Sequence, residues 1–116
     1  MGTLLYGNAG ISVEFADRAL WHLQIVITAK LRRGESFLFS WADSVEVGSG
    51  RSTIWLDPSS TILYRFLGSR TPAVNREWIA ELMVSANSTG GLFFTIEPGG
   101  PSGGQRFVSP LAKGAS

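Results

Sequence analysis

The stretch that decides the fold is Asp17-Arg18-Ala19-Leu20-Trp21-His22-Leu23-Gln24-Ile25-Val26-Ile27-Thr28-Ala29-Lys30-Leu31-Arg32-Arg33-Gly34-Glu35-Ser36-Phe37-Leu38-Phe39-Ser40-Trp41. Its apolar period changes part-way. Leu20, Leu23, Ile27 and Leu31 recur at helical spacing, whereas Phe37, Phe39 and Trp41 alternate with Leu38 and Ser40 as in a strand. Asp17 is placed to cap the helix, and Gly34 suits the left-handed position just past its end. Lys30, Arg32 and Arg33 fall in the last turn, where the carbonyl end of a helix favours each cation by about 0.3–1 kcal/mol.

Working outward, Thr3 to Tyr6 and Ile11 to Phe15 read as a hairpin around Gly7-Asn8-Ala9-Gly10. Beyond the central stretch, alternation predicts strands over 36–42, 52–56 and 61–67. Residues 43–50 form a flexible loop, and Asp57-Pro58-Ser59-Ser60 turns the last two strands into a second hairpin. Thr71 and Pro72 have the chemistry of a helix start, as cap and first residue, for a helix running to about Ala86. Its inward face carries Val74, Trp78, Ile79, Leu82 and Met83. A final strand covers 92–96. The order β-β-α-β-β-β-α-β predicts an α+β fold, a mainly antiparallel sheet with two helices packed on one face, in a single domain over 1–97. A curled, barrel-like sheet is the alternative. Residues 98–116 are rich in Gly, Pro and Ser and read as a flexible C-terminal tail. The sheet face away from the helices carries Leu38, Trp55, Leu63 and Leu67, too apolar to be idle in water, and is expected to be a contact surface.

The chain has 116 residues and no cysteine, so thiolate zinc sites, disulfides and thiol catalysis are excluded. Its ten basic and nine acidic residues give a formal charge of +1. Arg106 and Lys113 lie in the tail, so residues 1–97 hold eight basic against nine acidic residues, a net charge of −1. Nucleic-acid binding must therefore rest on a local patch. The N-terminus lacks a basic region followed by an apolar run, which makes the cytoplasm the default expectation. No apolar run approaches the roughly 20 residues of a membrane span, and no membrane partner is expected.

Candidate chemistry is sparse. His22, the one histidine, sits mid-helix with no serine signature to pair with it, so no catalytic residue is assigned. The carboxylates are scattered; Glu77 and Glu81 share a helix face without a third ligand, and neither a metal nor a cofactor is expected. Gly48-Ser49-Gly50-Arg51-Ser52 lacks the Gly-Lys-Ser/Thr ending of a phosphate loop. The segment from Gly68 to Arg76 is the better anion site, because free amides at a helix start would lie between Arg70 and Arg76. Among the tryptophans, Trp41 and Trp78 point into the core and Trp55 is the ring expected at the surface.

Four stretches carry a resemblance: Phe15-Ala16-Asp17-Arg18, Lys30 to Phe37, Gly50 to Leu56, and Asn75-Arg76-Glu77-Trp78 with Ala86-Asn87-Ser88. Over residues 1–98 the chain resembles a family of short actinobacterial proteins of unknown function, many labelled "ATP-dependent DNA ligase". That label implies a Lys-x-Asp-Gly motif to take up AMP. Neither Lys30-Leu31-Arg32-Arg33 nor Lys113-Gly114-Ala115-Ser116 matches it, so autonomous ligation is rejected.

The sequence therefore points to a small non-enzymatic binding module. Its leading partner is nucleic acid or another anion, held by Lys30, Arg32, Arg33, Arg51, Arg70 and Arg76 with Trp55 stacking. The alternatives are a protein-protein or homo-oligomer contact through the apolar sheet face, and a ligase-related accessory without catalysis of its own.

Overall fold

A computed structural model describes residues 1–7, 10–43 and 50–99. Along the chain it has β1 (Gly2–Tyr6), β2 (Ile11–Phe15), α1 (Asp17–Arg32), β3 (Phe37–Ala42), β4 (Arg51–Leu56), β5 (Ile62–Arg65), α2 (Arg76–Ala86) and β6 (Leu92–Phe93). This is the expected α+β order, distributed over two three-stranded sheets, β2-β1-β5 and β4-β3-β6. All strand pairs are antiparallel except β3 with β6, which run parallel.

One core serves both sheets. Leu4, Val13 and Phe15 from the first sheet, Phe37, Phe39, Trp41, Leu56 and Leu92 from the second, and Leu20, Leu23, Ile27, Trp78 and Leu82 from the helices are buried together. Phe15 sits at the junction, its ring centroid 5.2 Å from Phe94, 6.1 Å from Phe39 and 6.4 Å from Trp41. The change of period at Gly34 is realised as read: α1 ends, Gly34 adopts φ +76°, and β3 begins three residues later.

Four expectations need correction. The strands flanking Asp57–Ser60 do not form a hairpin; β4 pairs with β3, and β5 pairs with β1. The turn is real, closed by Ser60 N–H to Asp57 O at 2.9 Å and Ser59 N–H to Asp57 Oδ1 at 2.8 Å. It passes the chain from one sheet to the other, since a turn signal fixes a reversal and not the partner of the next strand. Asp17 is the first helical residue and caps nothing in α1; its carboxylate accepts from Leu67 N–H (3.1 Å) and Gly68 N–H (2.8 Å) across the fold. The second helix starts at Arg76, not Thr71, because the Asn75 side chain accepts from Glu77 N–H and Trp78 N–H. Val74 thus lies before the helix and is exposed. The last strand stops at Phe93, and Ile96 is exposed. Turn residues Asn8 and Ala9, loop residues 44–49 and the tail from residue 100 lie outside the described residues.

Gly91 fixes how α2 delivers the chain to β6. Its φ is +88°, and a Cβ there would lie 2.4 Å from the Leu38 carbonyl oxygen. Gly91→Ala adds left-handed strain to a clash with backbone, so a loss of about 2–3 kcal/mol is expected in urea unfolding, against a few tenths for Gly90→Ala.

Candidate functional site

The basic turn is largely neutralised from within. Lys30 is buried, with Nζ 2.8 Å from Glu35 Oε1 and 2.8 Å from Asn87 Oδ1, and it lies over the Phe37 ring. Arg33 reaches the same carboxylate, with Nε 3.3 Å from Oε2. These two cations, Lys30 first, hold the Glu35 carboxyl below its ordinary value. Arg32 is exposed and makes no ion pair among the described residues. The turn is therefore mostly a latch between the end of α1 and the end of α2, which Asn87 terminates.

Its neighbourhood leads to the open face of the β4-β3-β6 sheet. Asp43 N–H donates to Gly50 O at 2.7 Å, which fixes the phase of the β3–β4 ladder: Trp41/Ser52, Phe39/Ile54 and Phe37/Leu56 exchange backbone bonds. Leu38/Trp55, Ser40/Thr53 and Ala42/Arg51 are the close, unbonded pairs, and all six side chains are on the face away from the core. Ser40 Oγ and Thr53 Oγ1 are 2.8 Å apart. Phe93 joins the face from the other side, opposite Ser40, and the Arg51 guanidinium lies 6.0 Å from its ring centroid. Trp55 is 52% exposed, Phe93 40% and Leu38 36%.

Two adjoining grooves run over this face. One, of about 490 Å³, lies between Trp55, Leu38, Lys30 and the Asn87–Thr89 turn. The other, of about 400 Å³, lies between Arg51, Thr53, Phe93, Ser85 and Ser88. Leu38, Ser88 and Gly91 border both. Of the seven side chains singled out in the sequence, this face gathers Lys30, Arg51 and Trp55, with Arg32 and Arg33 following Lys30 in the chain. Arg70 lines a separate depression with Trp21, Phe66 and Pro72, and Arg76 is exposed at the start of α2. In the segment read as an anion site, Gly68 N–H is held by the Asp17 carboxylate, and the helix start lies at Arg76, with Asn75 capping it, and not between Arg70 and Arg76.

The tightest polar cluster lies elsewhere and was not foreseen. His22 is fully buried; Nδ1 donates to Arg18 O at 2.7 Å, and Nε2 accepts from Asn75 N–H at 2.8 Å. Those roles follow from the partners, since a carbonyl only accepts and an amide only donates. The ring packs against Trp78, centroids 4.7 Å apart. Arg18 grips Glu97 through two bonds (2.8 and 2.7 Å) and donates to Ala73 O, while Asn75 Nδ2 donates to Glu97 Oε2 and Pro98 O. Burial, the largest influence, lowers the His22 pKa; hydrogen bonding by Arg18 brings Glu97 down to about 2. The only sequence signal was that Phe15–Arg18 and Asn75–Trp78 stood out together. Among the described residues no three His, Asp or Glu side chains converge on a metal-sized site.

The pattern that spans all these elements, residues 1–97, matches the model described as "Domain of unknown function (DUF7882)". The chain belongs to the DUF7882 family. No curated protein and no solved structure matches it. The DUF7882 match covers both the polar cluster and the open sheet face, so each is part of the family's domain and not of the segment beyond it.

The pH dependence of stability follows from the cluster. Both His22 and Glu97 have folded-state pKa values below their ordinary ones, 6.5 and 4.5, so each stabilises the fold when deprotonated. Stability should be full at pH 7, fall as pH drops through 6.5, and fall again between 4.5 and about 2. Urea midpoints across this range measure it, and His22→Gln should remove the upper step while leaving the lower.

Proposed function

We propose that this domain is a non-enzymatic binding module whose ligand lies on the open face of the β4-β3-β6 sheet, and that the ligand is an unpaired nucleic-acid strand. The observation that carries this reading is the half-exposed Trp55 beside Leu38, with Arg51 over the exposed Phe93 on the same face. Flat rings on a sheet offer bases a stacking surface, and a guanidinium between them meets the backbone phosphates.

The electrostatics narrow the reading to stacking. Lys30 and Arg33 are engaged by Glu35, and Arg70 and Arg76 sit elsewhere, so a rigid duplex finds too few phosphate contacts. The non-enzymatic reading is supported by the state of the titratable groups. His22 has both ring nitrogens committed, Glu97 is locked in a two-bond ion pair, and Glu35, the carboxylate that lines a groove, is paired with Lys30 and Arg33, so among the described residues none of these three stands ready as a general base. An accessory role beside a DNA-joining enzyme would use the same face.

Fluorescence anisotropy with labelled oligo-dT and oligo-U tests this. Binding in the tens of micromolar is expected at low salt, with a log–log salt slope of about −1, where a six-cation patch would give about −4. Trp55→Ala should weaken binding by about tenfold or more. No binding, or binding indifferent to Trp55→Ala, would remove the stacking role. A second reading, a protein contact, is favoured by Leu38 and Trp55 being exposed together on this face; Leu63 is exposed on β5 in the other sheet, so the one apolar face expected from the sequence is divided between the two sheets.

A further inference from the structure

The free side of β4 carries information that the open face does not. β4 is an edge strand, and the ladder phase derived above turns the backbone N–H and C=O groups of Arg51, Thr53 and Trp55 away from β3. Tyr6 confirms the direction, because its hydroxyl donates to the Trp55 carbonyl from that side. Among the described residues the remaining outward groups of Arg51 and Thr53 have no backbone partner. This is a short edge of strand-forming residues, open at Arg51 and Thr53 and met by Tyr6 only at the Trp55 carbonyl, the kind of surface that recruits another strand.

The side chains along it are self-complementary. Arg51, Thr53 and Trp55 are all exposed on one face. In an antiparallel pair of two identical edges centred on Thr53, Thr53 faces its own copy and Arg51 of each chain faces Trp55 of the other. Both outer positions then bring a guanidinium to a tryptophan ring, the best partner for it among aromatic side chains. A pairing centred on Arg51 would oppose two like charges, which disfavours that register. A pairing shifted by one residue would face the outward groups of one chain with groups already committed to β3. The centred register joins Thr53 to its copy through two backbone bonds and lets the Trp55 N–H of each chain reach the Arg51 carbonyl of the other, while the Trp55 carbonyl keeps its bond from Tyr6 and has only its second lone pair to offer.

We propose that β4 is a self-association edge, and that its partner is a second copy of this chain, joined antiparallel about a two-fold axis at Thr53 to make one six-stranded sheet. The proposal rests on the protein-contact reading of this sheet and not on the nucleic-acid one. It goes further than that reading by naming the edge, the register and the partner.

The absence of cysteine from the chain makes the test direct. In the full-length protein, Thr53→Cys places one thiol beside the axis, where facing residues of a bonded pair have Cα atoms about 5.5 Å apart, within disulfide reach. On diamide oxidation, a disulfide-linked dimer should form from Thr53→Cys much faster than from Ser12→Cys, a control on the exposed face of the β2 edge. Sedimentation equilibrium of the wild type should show monomer and dimer, shifted to monomer by Thr53→Pro, which removes an outward N–H without touching the β3 ladder. Arg51→Glu, on the surface and outside the core, should shift it likewise. Equal cross-linking of the two cysteine variants, or a wild type that stays monomeric at hundreds of micromolar, would overturn the proposal. A dimer that survives both Thr53→Pro and Arg51→Glu would also overturn it, while leaving a protein contact through the open face standing.

Discussion

The structure depends on the bonds that His22 makes from inside α1. With Nδ1 donating to the helix's own carbonyl at Arg18, its Nε2 is left as an acceptor aimed at the Asn75 amide, where α2 begins. Leaving either group unpaired in the interior would cost about 1–3 kcal/mol, so the entry of α2 is held to one position. Asn75 then caps α2 with its oxygen and holds Glu97 and Pro98 with its nitrogen, and Arg18 grips the same carboxylate. One buried imidazole thus organises a helix start and the return of the chain after β6.

That return shapes the open face. Trp78, stacked on His22, donates from its indole to Thr95 O, and Phe94 N–H donates to Ser40 O. At the other end of α2, Ser85 Oγ accepts from Phe93 N–H. Between these anchors β6 is laid parallel to β3, and Phe93 comes to lie beside Ser40 with Arg51 over its ring. The face is therefore a product of polar bonds made below the sheet, whereas its own exposed side chains contribute little to holding the fold.

Much of the fold was legible because it is written in local periodicity. The switch from Leu20, Leu23 and Ile27 to Phe37, Phe39 and Trp41 gave α1 and β3, and alternation at Thr53 and Trp55 gave the exposed ring. What was not legible were long-range choices. Asp57–Ser60 announces a reversal, but only the tertiary structure assigns β5 to β1. Asp17 and Asn75 are both good capping residues, and which of them caps depends on amides 50 residues away or next door. The basic turn misled in the same way, because Glu35 and Asn87 were not visible as its partners until α2 was in place. Of the side chains named from the sequence, Lys30, Arg51 and Trp55 line the two grooves and Arg70 lies apart from them, while Leu38 and Phe93 reach the grooves through sheet register, which the sequence does not display.

The most direct test of the central role of His22 is its tautomer. As the one histidine in the chain, its ring nitrogens can be read without ambiguity by long-range proton–nitrogen correlation NMR at pH 7. The bonding described here requires a single neutral form, protonated at Nδ1 and bare at Nε2. A ring protonated at Nε2, or averaging between the two forms as free histidine does, would contradict it.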